Sequence, residues 1–506
     1  MNKRKIKKIL LMQPNYGWLG KRTWPFPPYT LCLLKAVIGS QYETAVFDPN
    51  FDNMSEEEVV ECLKDYAPDF VGVSSVSTEY FNVTRLLNKL IRQALPQAVI
   101  VYGGVVPTVL VDEVIKDEHA DFWMMGEGEV ALPRFIDELQ QDVSAYDKVP
   151  GLVYRHEGKI VKQPSEFIQD LDSVPLPDYS KILGRGLRCL KLADYGQIKM
   201  KYAPTMLAGK YPYAMTITSR GCPYQCIFCA GRTVSGMKVR FRSAANVLKE
   251  IDVLYQQGIR EVIFLDDHFL ADKNRATAIM QGIIDRGYDM TWKCVNVTAW
   301  LLDKDIMSLM KKSGCSFLCV SIESGDQQVL KNIIKKPVQL DKIPPILDMA
   351  KEMGFDILAN FVFGFPGETW DQIRGSVRYA EKLNVDIVNF HIATPLPKTE
   401  LADICMKEGL LPPDYMDNIA KYSGYGKGLI TTKEFTPGEL EVLRSFEWDR
   451  INFGTPERRA AIARISGITI EELEDWRINT RRSLGVNSLV KNIMAATSDA
   501  GAKEVV

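Results

Sequence analysis

Short apolar runs and segments with helical spacing alternate along residues 1–145. The predicted strands are Ile9–Met12, Thr44–Phe47, Phe70–Ser74, Val99–Tyr102 and Phe122–Met125. Two predicted helices, Glu56–Tyr66 and Asn82–Ala94, carry their apolar residues three or four positions apart. Strand–helix alternation at this spacing predicts βαβ units in a doubly wound parallel sheet. Such sheets bind ligands at the carboxyl ends of their strands.

The same alternation returns between residues 206 and 410. Six further strands are predicted there: Ala214–Ser219, Glu261–Leu265, Thr291–Val295, Phe317–Ile322, Ile357–Phe363 and Ile387–Ile392. Helical spacing lies between them, and one helix is predicted to start at the N-cap Ser243 and to stop at Gly258. Six strands with intervening helices indicate a second α/β domain.

The remaining segments are predicted to be a connector and an appendage. Residues 146–205 are predicted to be a linker that holds a small hairpin around Glu157-Gly158 and an extended, proline-rich stretch. Residues 411–506 are predicted to form a small helical region, with helices at Glu439–Arg450, Pro456–Ile465 and Ile470–Thr480.

Length and composition narrow the function classes. A chain of 506 residues is too long for one core. Its 62 basic and 64 acidic residues nearly balance, which gives no reason to expect nucleic-acid binding. No run approaches the ~18 apolar residues that span a bilayer, and the apolar run after the basic N-terminus breaks at Gln13-Pro14. Ten cysteines without a secretion signal predict a reducing, cytoplasmic location.

Three cysteines, Cys222, Cys226 and Cys229, follow the apolar run that ends at Ile217. The spacing CxxxCxxC supplies three thiolates to a four-iron cluster and leaves its fourth iron open to a small molecule. A zinc site completed by a distant residue, or three inert thiols, are the alternatives. Zinc sites usually come as paired CxxC or Cys/His knuckles. No second CxxC exists in the chain, and its four histidines are scattered.

The cysteine motif, with Phe228 before its last cysteine, resembles the radical S-adenosylmethionine (SAM) enzymes. The resemblance implies a partial (β/α)6 barrel from 206 to 410, with Cys222, Cys226 and Cys229 as the catalytic ligands of a 4Fe-4S cluster. It also implies that SAM binds the open iron. By the same analogy, the SAM contacts would come from Phe228, Asp266, Glu323, Ser324 and Asn360.

Three loops at predicted strand ends carry glycines and hydroxyls suited to a ligand. Gly-Gly-x-x-Pro-Thr ahead of Gly-Glu-Gly-Glu resembles the Rossmann-like (flavodoxin-like) cobalamin-binding domain found in one branch of these enzymes. The resemblance makes the following residues candidate cobalamin contacts: Ser74, Ser75, Gly103, Gly104, Pro107, Thr108, Gly126, Glu127, Gly128 and Glu129. No histidine precedes His119, so the cobalt is expected to lack a histidine ligand.

The resemblance implies a cobalamin-dependent radical SAM methyltransferase acting on an unactivated carbon or a phosphinate phosphorus. In the family mechanism one SAM methylates the cobalamin and a second yields the 5′-deoxyadenosyl radical. That radical activates the substrate, which takes the methyl group from methylcobalamin. An oxidative cyclase or ring-rearranging enzyme and a non-catalytic corrinoid carrier or sensor remain alternatives. The expected partners are a small-molecule or peptide substrate and an electron donor such as flavodoxin or ferredoxin.

Overall fold

The first half of the chain folds around a nine-stranded sheet. Its strands are β1 (Lys8–Met12), β2 (Glu43–Phe47), β3 (Phe70–Ser75), β4 (Val99–Gly104), β5 (Phe122–Met124), β6 (Leu152–His156), β7 (Lys159–Lys162), β8 (Ile182–Leu183) and β9 (Cys189–Leu190), in the order β7-β6-β5-β4-β3-β1-β2-β8-β9. Strands β1 to β5 are parallel, and β1 pairs with both β2 and β3. The inner order 5-4-3-1-2 is flavodoxin-like, which confirms the predicted doubly wound sheet.

The computed structural model of the chain describes residues 5–20, 26–141, 145–196, 205, 207, 209–415 and 427–483. Part of the predicted linker and residues 484–506 of the predicted helical region lie outside these ranges. No helix in the described ranges is both long enough and apolar enough to cross a bilayer.

Helices cover both faces of this sheet. They are α1 (Tyr29–Ile38), α2 (Glu56–Tyr66), α3 (Phe81–Ala94), α4 (Val105–Val109), α5 (Val111–Val114), α6 (Gly128–Leu139) and α7 (Leu192–Tyr195). Apolar residues of α1 and α6 pack on one face, and those of α2 and α3 pack on the other. Both faces are therefore buried, which explains why the inner strands are nearly continuous apolar runs.

The segment predicted as a linker adds strands to both edges of the sheet. The predicted hairpin forms as β6 and β7, and β6 pairs antiparallel with β5. Strand β8 pairs parallel with β2, and β9 pairs with β8. The strands of the described connector are thus part of the sheet of the first domain.

The second domain is an open barrel of six parallel strands: β10 (Tyr213–Thr216), β13 (Glu261–Phe264), β14 (Thr291–Cys294), β15 (Phe317–Glu323), β16 (Asp356–Phe363) and β17 (Ile387–Ile392). They form two three-stranded sheets, joined by parallel bridges at Trp292–Cys315 and Val297–Val320. A short antiparallel pair, β11 (Ser219–Arg220) and β12 (Arg240–Phe241), follows β10. The predicted partial (β/α)6 barrel is confirmed.

The barrel helices are α8 (Gly231–Val234), α9 (Ala244–Gln256), α10 (Lys273–Arg286), α11 (Lys304–Lys312), α12 (Ile343–Glu352), α13 (Trp370–Lys382) and α14 (Glu400–Lys407). Ser243 caps α9 as predicted, because its side chain accepts a hydrogen bond from the Asn246 N–H. Gly258 follows the helix with φ +88°, a left-handed conformation that favours glycine.

Strands β15 to β17 alternate between a buried outer face and a more accessible inner face. The outward residues Val320, Ala359 and Val388 are fully buried against helices. Asn360 and Asn389 are partly accessible and form register partners on the opposite face. Since side chains alternate between the faces of a strand, this half of the barrel presents a polar inner wall.

The C-terminal helices are α15 (Pro437–Asn452), α16 (Pro456–Ile465) and α17 (Ile470–Ser483). Helix α15 lies against the edge strand β17, and apolar residues of α16 and α17 pack against β15, β16 and β17. The Asn452 side chain accepts from the Val388 N–H at 2.8 Å and donates to the Val388 carbonyl at 2.7 Å. Arg444 donates to the Phe390 carbonyl at 2.8 Å. Helix α15 thereby satisfies backbone groups that the edge strand β17 would otherwise leave unpaired.

Candidate active site

The cysteine loop leaves the barrel after β11 and is anchored through a buried residue at its centre. Ile227 donates its N–H to the Ile334 carbonyl at 3.2 Å and accepts from the Leu401 N–H at 2.9 Å. Cys222 and Cys226 are half-buried and Cys229 is exposed. The loop therefore presents its thiols from a backbone that is fixed to two other parts of the barrel.

The chemistry around the three thiols fits a cluster. The Gly231 N–H donates to the Cys229 sulfur at 3.3 Å, as amides commonly do to cluster thiolates. Burial raises the pKa of Cys226 to about 12, while the nearby positive charge of Lys336 acts to lower it. Iron would supply the charge that holds such thiols deprotonated.

No three His, Cys, Asp or Glu side chains within the described ranges lie close enough together to ligate one metal ion. A four-iron cluster does not require that closeness, because each cysteine binds a different iron.

Lys336 and Glu323 form a buried ion pair at the top of β15. Their charged atoms lie 2.7 Å apart, and Lys336 also donates to the Ser321 carbonyl at 2.8 Å. Glu323 has φ +75°, which is unusual for a residue with a side chain. The barrel thus holds a strained, predicted SAM contact beside a lysine that acts electrostatically on all three cysteines.

Phe228 packs against the turn that follows β16. Its ring lies 5.7 Å from the ring of Phe365, centre to centre. The turn is held by the fully buried Glu368, whose Oε2 accepts from the N–H groups of Gly364 and Phe365 at 2.7 and 3.1 Å. This turn supplies part of the aromatic wall beside the cysteine loop.

The two acids after β13 have different environments. Asp266 is buried and accepts hydrogen bonds from the Thr218 N–H at 2.6 Å, from the Thr218 hydroxyl and from the Ser219 hydroxyl. It therefore ties β13 to the chain after β10. Asp267 is half-buried, accepts from the Gly221 N–H at 2.9 Å and lines a cavity next to the cysteine loop. Asp267 is the acid that is free to meet a ligand.

The remaining predicted SAM contacts lie at different depths. The Ser324 hydroxyl lies 3.0 Å from that of Ser376 and is completely buried in the turn after β15. Asn360 lies inside the barrel, where its amide contacts the Cys319 sulfur at 3.2 Å and the His391 ring at 3.4 Å. Of these two, Asn360 lies on the accessible inner wall.

Cys294, at the end of β14, is fully buried in the core of the barrel.

A cavity of about 250 Å³ lies between the two domains. On one side it is bordered by the carboxyl ends of β1, β3, β4 and β5, and on the other by Arg220 and Asp267 of the barrel. Its floor is apolar: Leu11, Tyr29, Leu31, Leu33, Leu34, Val73, Val101, Met124 and Leu132. The place is the β1/β3 switch point, where flavodoxin-like sheets bind ligands.

Most of the residues predicted to contact cobalamin line this cavity: Ser74, Gly103, Gly104, Thr108, Gly126, Glu127, Gly128 and Glu129. Ser75 and Pro107 are not among its lining residues. No histidine is among them either. At Gly103 an added Cβ would meet only Met124, at 3.8 Å. Packing within the protein therefore does not require this glycine, and its missing side chain leaves room for a ligand.

Four largely buried charged side chains form ion pairs across the domain boundary beside the cavity: Glu127, Glu129, Arg220 and Arg240. We call these four residues the interface clamp. Arg240 forms two hydrogen bonds with the Glu127 carboxylate, both at 2.8 Å. Arg220 pairs with Glu127 at 3.1 Å and also with Glu129. The two glutamates thus bind arginines of the barrel rather than only facing the cavity.

The pairing shifts the pKa values of two members of the clamp, Glu127 and Arg220. Burial acts to raise the pKa of Glu127, but the hydrogen bonds from Arg240 and the charge of Arg220 outweigh it and lower the pKa. Burial likewise opposes the charged form of Arg220, yet Glu129 and Glu127 raise its pKa. Glu127 and Arg220 therefore stay charged at neutral pH.

Two family models match the chain, one over each domain. The model of the radical SAM superfamily matches residues 216–380. The model of the B12 binding domain matches residues 19–136. The first match contains the cysteine loop, and the second contains the strands and loops that border the cavity.

The chain belongs to the radical SAM enzymes that carry a B12-binding domain.

The cofactors of this radical SAM enzyme follow from its two domains: a 4Fe-4S cluster, SAM and cobalamin. It is 28% identical to an uncharacterised methyltransferase of Pyrococcus horikoshii, over 87% of this chain and 91% of the relative. It is also 28% identical to cytidylyl-2-hydroxyethylphosphonate methyltransferase of Streptomyces wedmorensis, over 88% and 90%. The solved structure of TsrM, a radical SAM methyltransferase of Kitasatospora setae, superposes with a TM-score of 0.67 at 19% identity, over 80% of this chain and 78% of that one.

Sequence reasoning missed Lys336 and the arginine partners of Glu127 and Glu129, and it selected Asp266 rather than Asp267. Lys336 follows a run of six residues in a π-helix, Val329–Ile334, which no simple periodicity predicts. One residue could have indicated the cavity from the sequence: Gly72, which lies inside strand β3 and lines the cavity. A glycine inside a strand often marks a place where a ligand or another backbone approaches closely.

Proposed function

We propose that this enzyme methylates an unactivated carbon, or a phosphinate phosphorus, of a small-molecule substrate. The observation that carries the proposal is the shared cavity, which is lined by the B12-binding loops and by barrel residues that adjoin the cysteine loop. Both similar relatives named above are methyltransferases. When bound, the cluster supplies the electron that cleaves SAM, and the corrinoid carries the methyl group.

The overall reaction balances with two SAM molecules and two electrons. One SAM gives up its methyl group and leaves as S-adenosylhomocysteine. The other is cleaved to methionine and 5′-deoxyadenosine, which keeps the hydrogen atom removed from the substrate. We propose a flavodoxin or ferredoxin as the electron donor, and a reducing, cytoplasmic compartment for a cluster held by free thiols.

This chain's residues have separate proposed roles. Cys222, Cys226 and Cys229 ligate the iron, and Phe228 with Phe365 covers the adenine of SAM. Asp267 binds the amino group of SAM in place of the buried Asp266, and Lys336 binds its carboxylate. The charges of these two side chains complement those of the amino acid end of SAM.

The corrinoid binds in the cavity between the domains, with Gly103, Gly104 and Gly126 allowing close approach. The apolar floor suits the flat benzimidazole base at the end of its nucleotide tail. Asn360 and His391, on the polar inner wall of the barrel, would be available to contact a substrate there.

The test uses SAM with a deuterated methyl group and needs no substrate. The enzyme is reconstituted anaerobically with iron, sulfide and hydroxocobalamin, freed of unbound cofactor and reduced. We expect S-adenosylhomocysteine to form together with deuterium in the extracted corrinoid. Formation of 5′-deoxyadenosine with no label in bound corrinoid would favour the cyclase or rearranging alternative. No cleavage of SAM at all would favour the carrier.

A further inference from the structure

The interface clamp lies directly between the two proposed cofactor sites. Glu127 is the N-cap residue of α6 and Glu129 lies in the first turn of that helix; both line the cavity. Arg220 ends β11 and is separated from Cys222 only by Gly221. A single chain of contacts therefore leads from the wall of the cavity to the first cysteine of the cluster motif.

The clamp is largely buried, and its four members pair with one another. The Arg240 side chain is 3% exposed, those of Glu127 and Glu129 are 7% exposed, and that of Arg220 is 15% exposed. Arg240 further donates to the carbonyls of Ile168 and Ser235, and the Ile168 N–H donates to Glu127. Apolar residues of similar volume can stabilise an interface as well as buried charges do. Stability alone therefore does not explain these ion pairs, and we interpret them as fixing the relative position of the two domains.

The link from Arg220 to Cys222 is rigid. Gly221 has φ +98°, and a Cβ there would lie 2.4 Å from the Lys238 carbonyl oxygen, so only glycine fits. Its N–H is held by Asp267, and the Cys222 N–H donates to the Gly236 carbonyl at 3.1 Å. A displacement of Arg220 would therefore be passed to Cys222.

We propose that Glu127, Glu129 and Arg220 are positioning residues that fix the separation between the corrinoid in the cavity and the iron–sulfur cluster. The inference rests on the proposed function, since both cofactors must act on one substrate. A misplacement of about 1 Å between reacting groups can cost about a hundredfold in rate. A fixed position of one domain relative to the other prevents such a misplacement.

The experiment measures the cofactor distance itself. Wild-type enzyme and the variant Glu129→Gln are reconstituted with both cofactors and partly reduced with dithionite, so that cob(II)alamin and the reduced cluster are both paramagnetic. Pulsed electron paramagnetic resonance then gives the distribution of cobalt–cluster distances. We expect one narrow distribution for wild type and a clearly broadened or shifted one for Glu129→Gln, with iron and cobalt contents unchanged.

Two further variants separate positioning from general stability. Asp252→Asn removes a two-bond pair with Arg286 on the outer helices of the barrel, with bonds at 2.5 and 3.0 Å, and should leave the distribution unchanged. Arg220→Lys keeps the charge but loses the forked geometry, and should broaden the distribution less than Arg220→Gln.

Identical distributions in wild type and Glu129→Gln would overturn the inference while leaving the proposed function intact. Loss of cobalt from Glu129→Gln would also overturn it, because the loop would then bind the corrinoid directly. If the wild-type enzyme binds no corrinoid, both the proposed function and the positioning role of the clamp are contradicted.

Discussion

At the scale of single residues, the cysteine loop presents three thiols of unequal exposure around one lysine. Replacement of one ligand tests the cluster assignment. Cys226→Ala should abolish SAM cleavage, because the cluster loses a thiolate, while corrinoid binding in the separate cavity stays nearly intact. The measurement is 5′-deoxyadenosine formation together with cobalt content. Cys189→Ala, at an exposed thiol of β9, is the matched control. Formation of 5′-deoxyadenosine at the wild-type rate in Cys226→Ala would refute the assignment.

The carboxyl of Glu368, which holds the Gly-Phe-Pro-Gly turn, makes the stability of the protein depend on pH. Burial raises its pKa from 4.5 to about 7 and outweighs the hydrogen bonds from Phe365 and Gly364. A raised carboxyl pKa means that the folded protein holds the proton more tightly than the unfolded chain does. Its contribution to stability is therefore complete below about pH 4.5 and is lost as the pH rises through 7.

Glu368→Gln should remove this pH dependence, because an amide has no proton to lose. Relative to wild type, the free energy of unfolding of the variant should rise between pH 5 and pH 8 by up to about 3 kcal/mol. Urea unfolding at several pH values measures it. A difference that stays constant with pH would show that Glu368 titrates normally in the folded protein.

Single residues also mark where sequence reasoning stopped. Asp266 was predicted as a SAM contact, but only the structure shows that its carboxylate is hydrogen-bonded to Thr218 and Ser219, while the neighbouring Asp267 faces the cavity. Glu127 and Glu129 were predicted as ligand contacts, and both line the cavity. Their arginine partners lie about ninety or more positions further along the chain, a separation that local patterns do not encode.

At the scale of elements, strand-end glycines create the cavity. Gly103→Leu should weaken corrinoid binding at least tenfold, because the new side chain enters ligand space and meets only Met124 of the protein. Gly375→Leu, on α13 with only Arg378 near its Cβ, is the control. Titration of hydroxocobalamin, followed by absorbance, measures the affinity. Equal affinity in Gly103→Leu and wild type would mean that the corrinoid does not approach β4.

Helix α15 acts as a cover for the edge strand β17. Asn452→Ala should lower the free energy of unfolding of the barrel by about 2–4 kcal/mol, because it leaves the buried N–H and C=O groups of Val388 unpaired. The exposed Asn332→Ala should change it by less than about 0.5 kcal/mol. Urea midpoints compare the two. Similar midpoints for both variants would contradict the role assigned to Asn452.

Elements were predicted best where the hydrophobic period was strong. Helix Glu56–Tyr66 and strand Ile387–Ile392 have the predicted bounds. The short strands β8 and β9 were missed, because two residues cannot display a period and the pairing of β8 with β2 joins distant parts of the chain. The sequence also did not predict that α15 covers the edge strand β17, because this contact depends on hydrogen bonds from Asn452 and Arg444 to a strand that is distant in the sequence.

At the scale of the whole molecule, two domains share one cavity. Sequence patterns predicted each domain, because each has its own alternation and its own motif. They did not predict how the domains meet, since the contacts between Glu127, Arg220 and Arg240 depend on tertiary structure. The site for two cofactors is a property of this interface rather than of either domain alone.

The most direct measurement of the central claim counts both cofactors and one product in the same sample. The enzyme is reconstituted anaerobically with iron, sulfide and hydroxocobalamin, freed of unbound material and given SAM with a reductant. The account predicts about four irons and one cobalt per chain, together with 5′-deoxyadenosine. Iron and 5′-deoxyadenosine without bound cobalt would contradict it, because the cavity between the domains would then not be a corrinoid site.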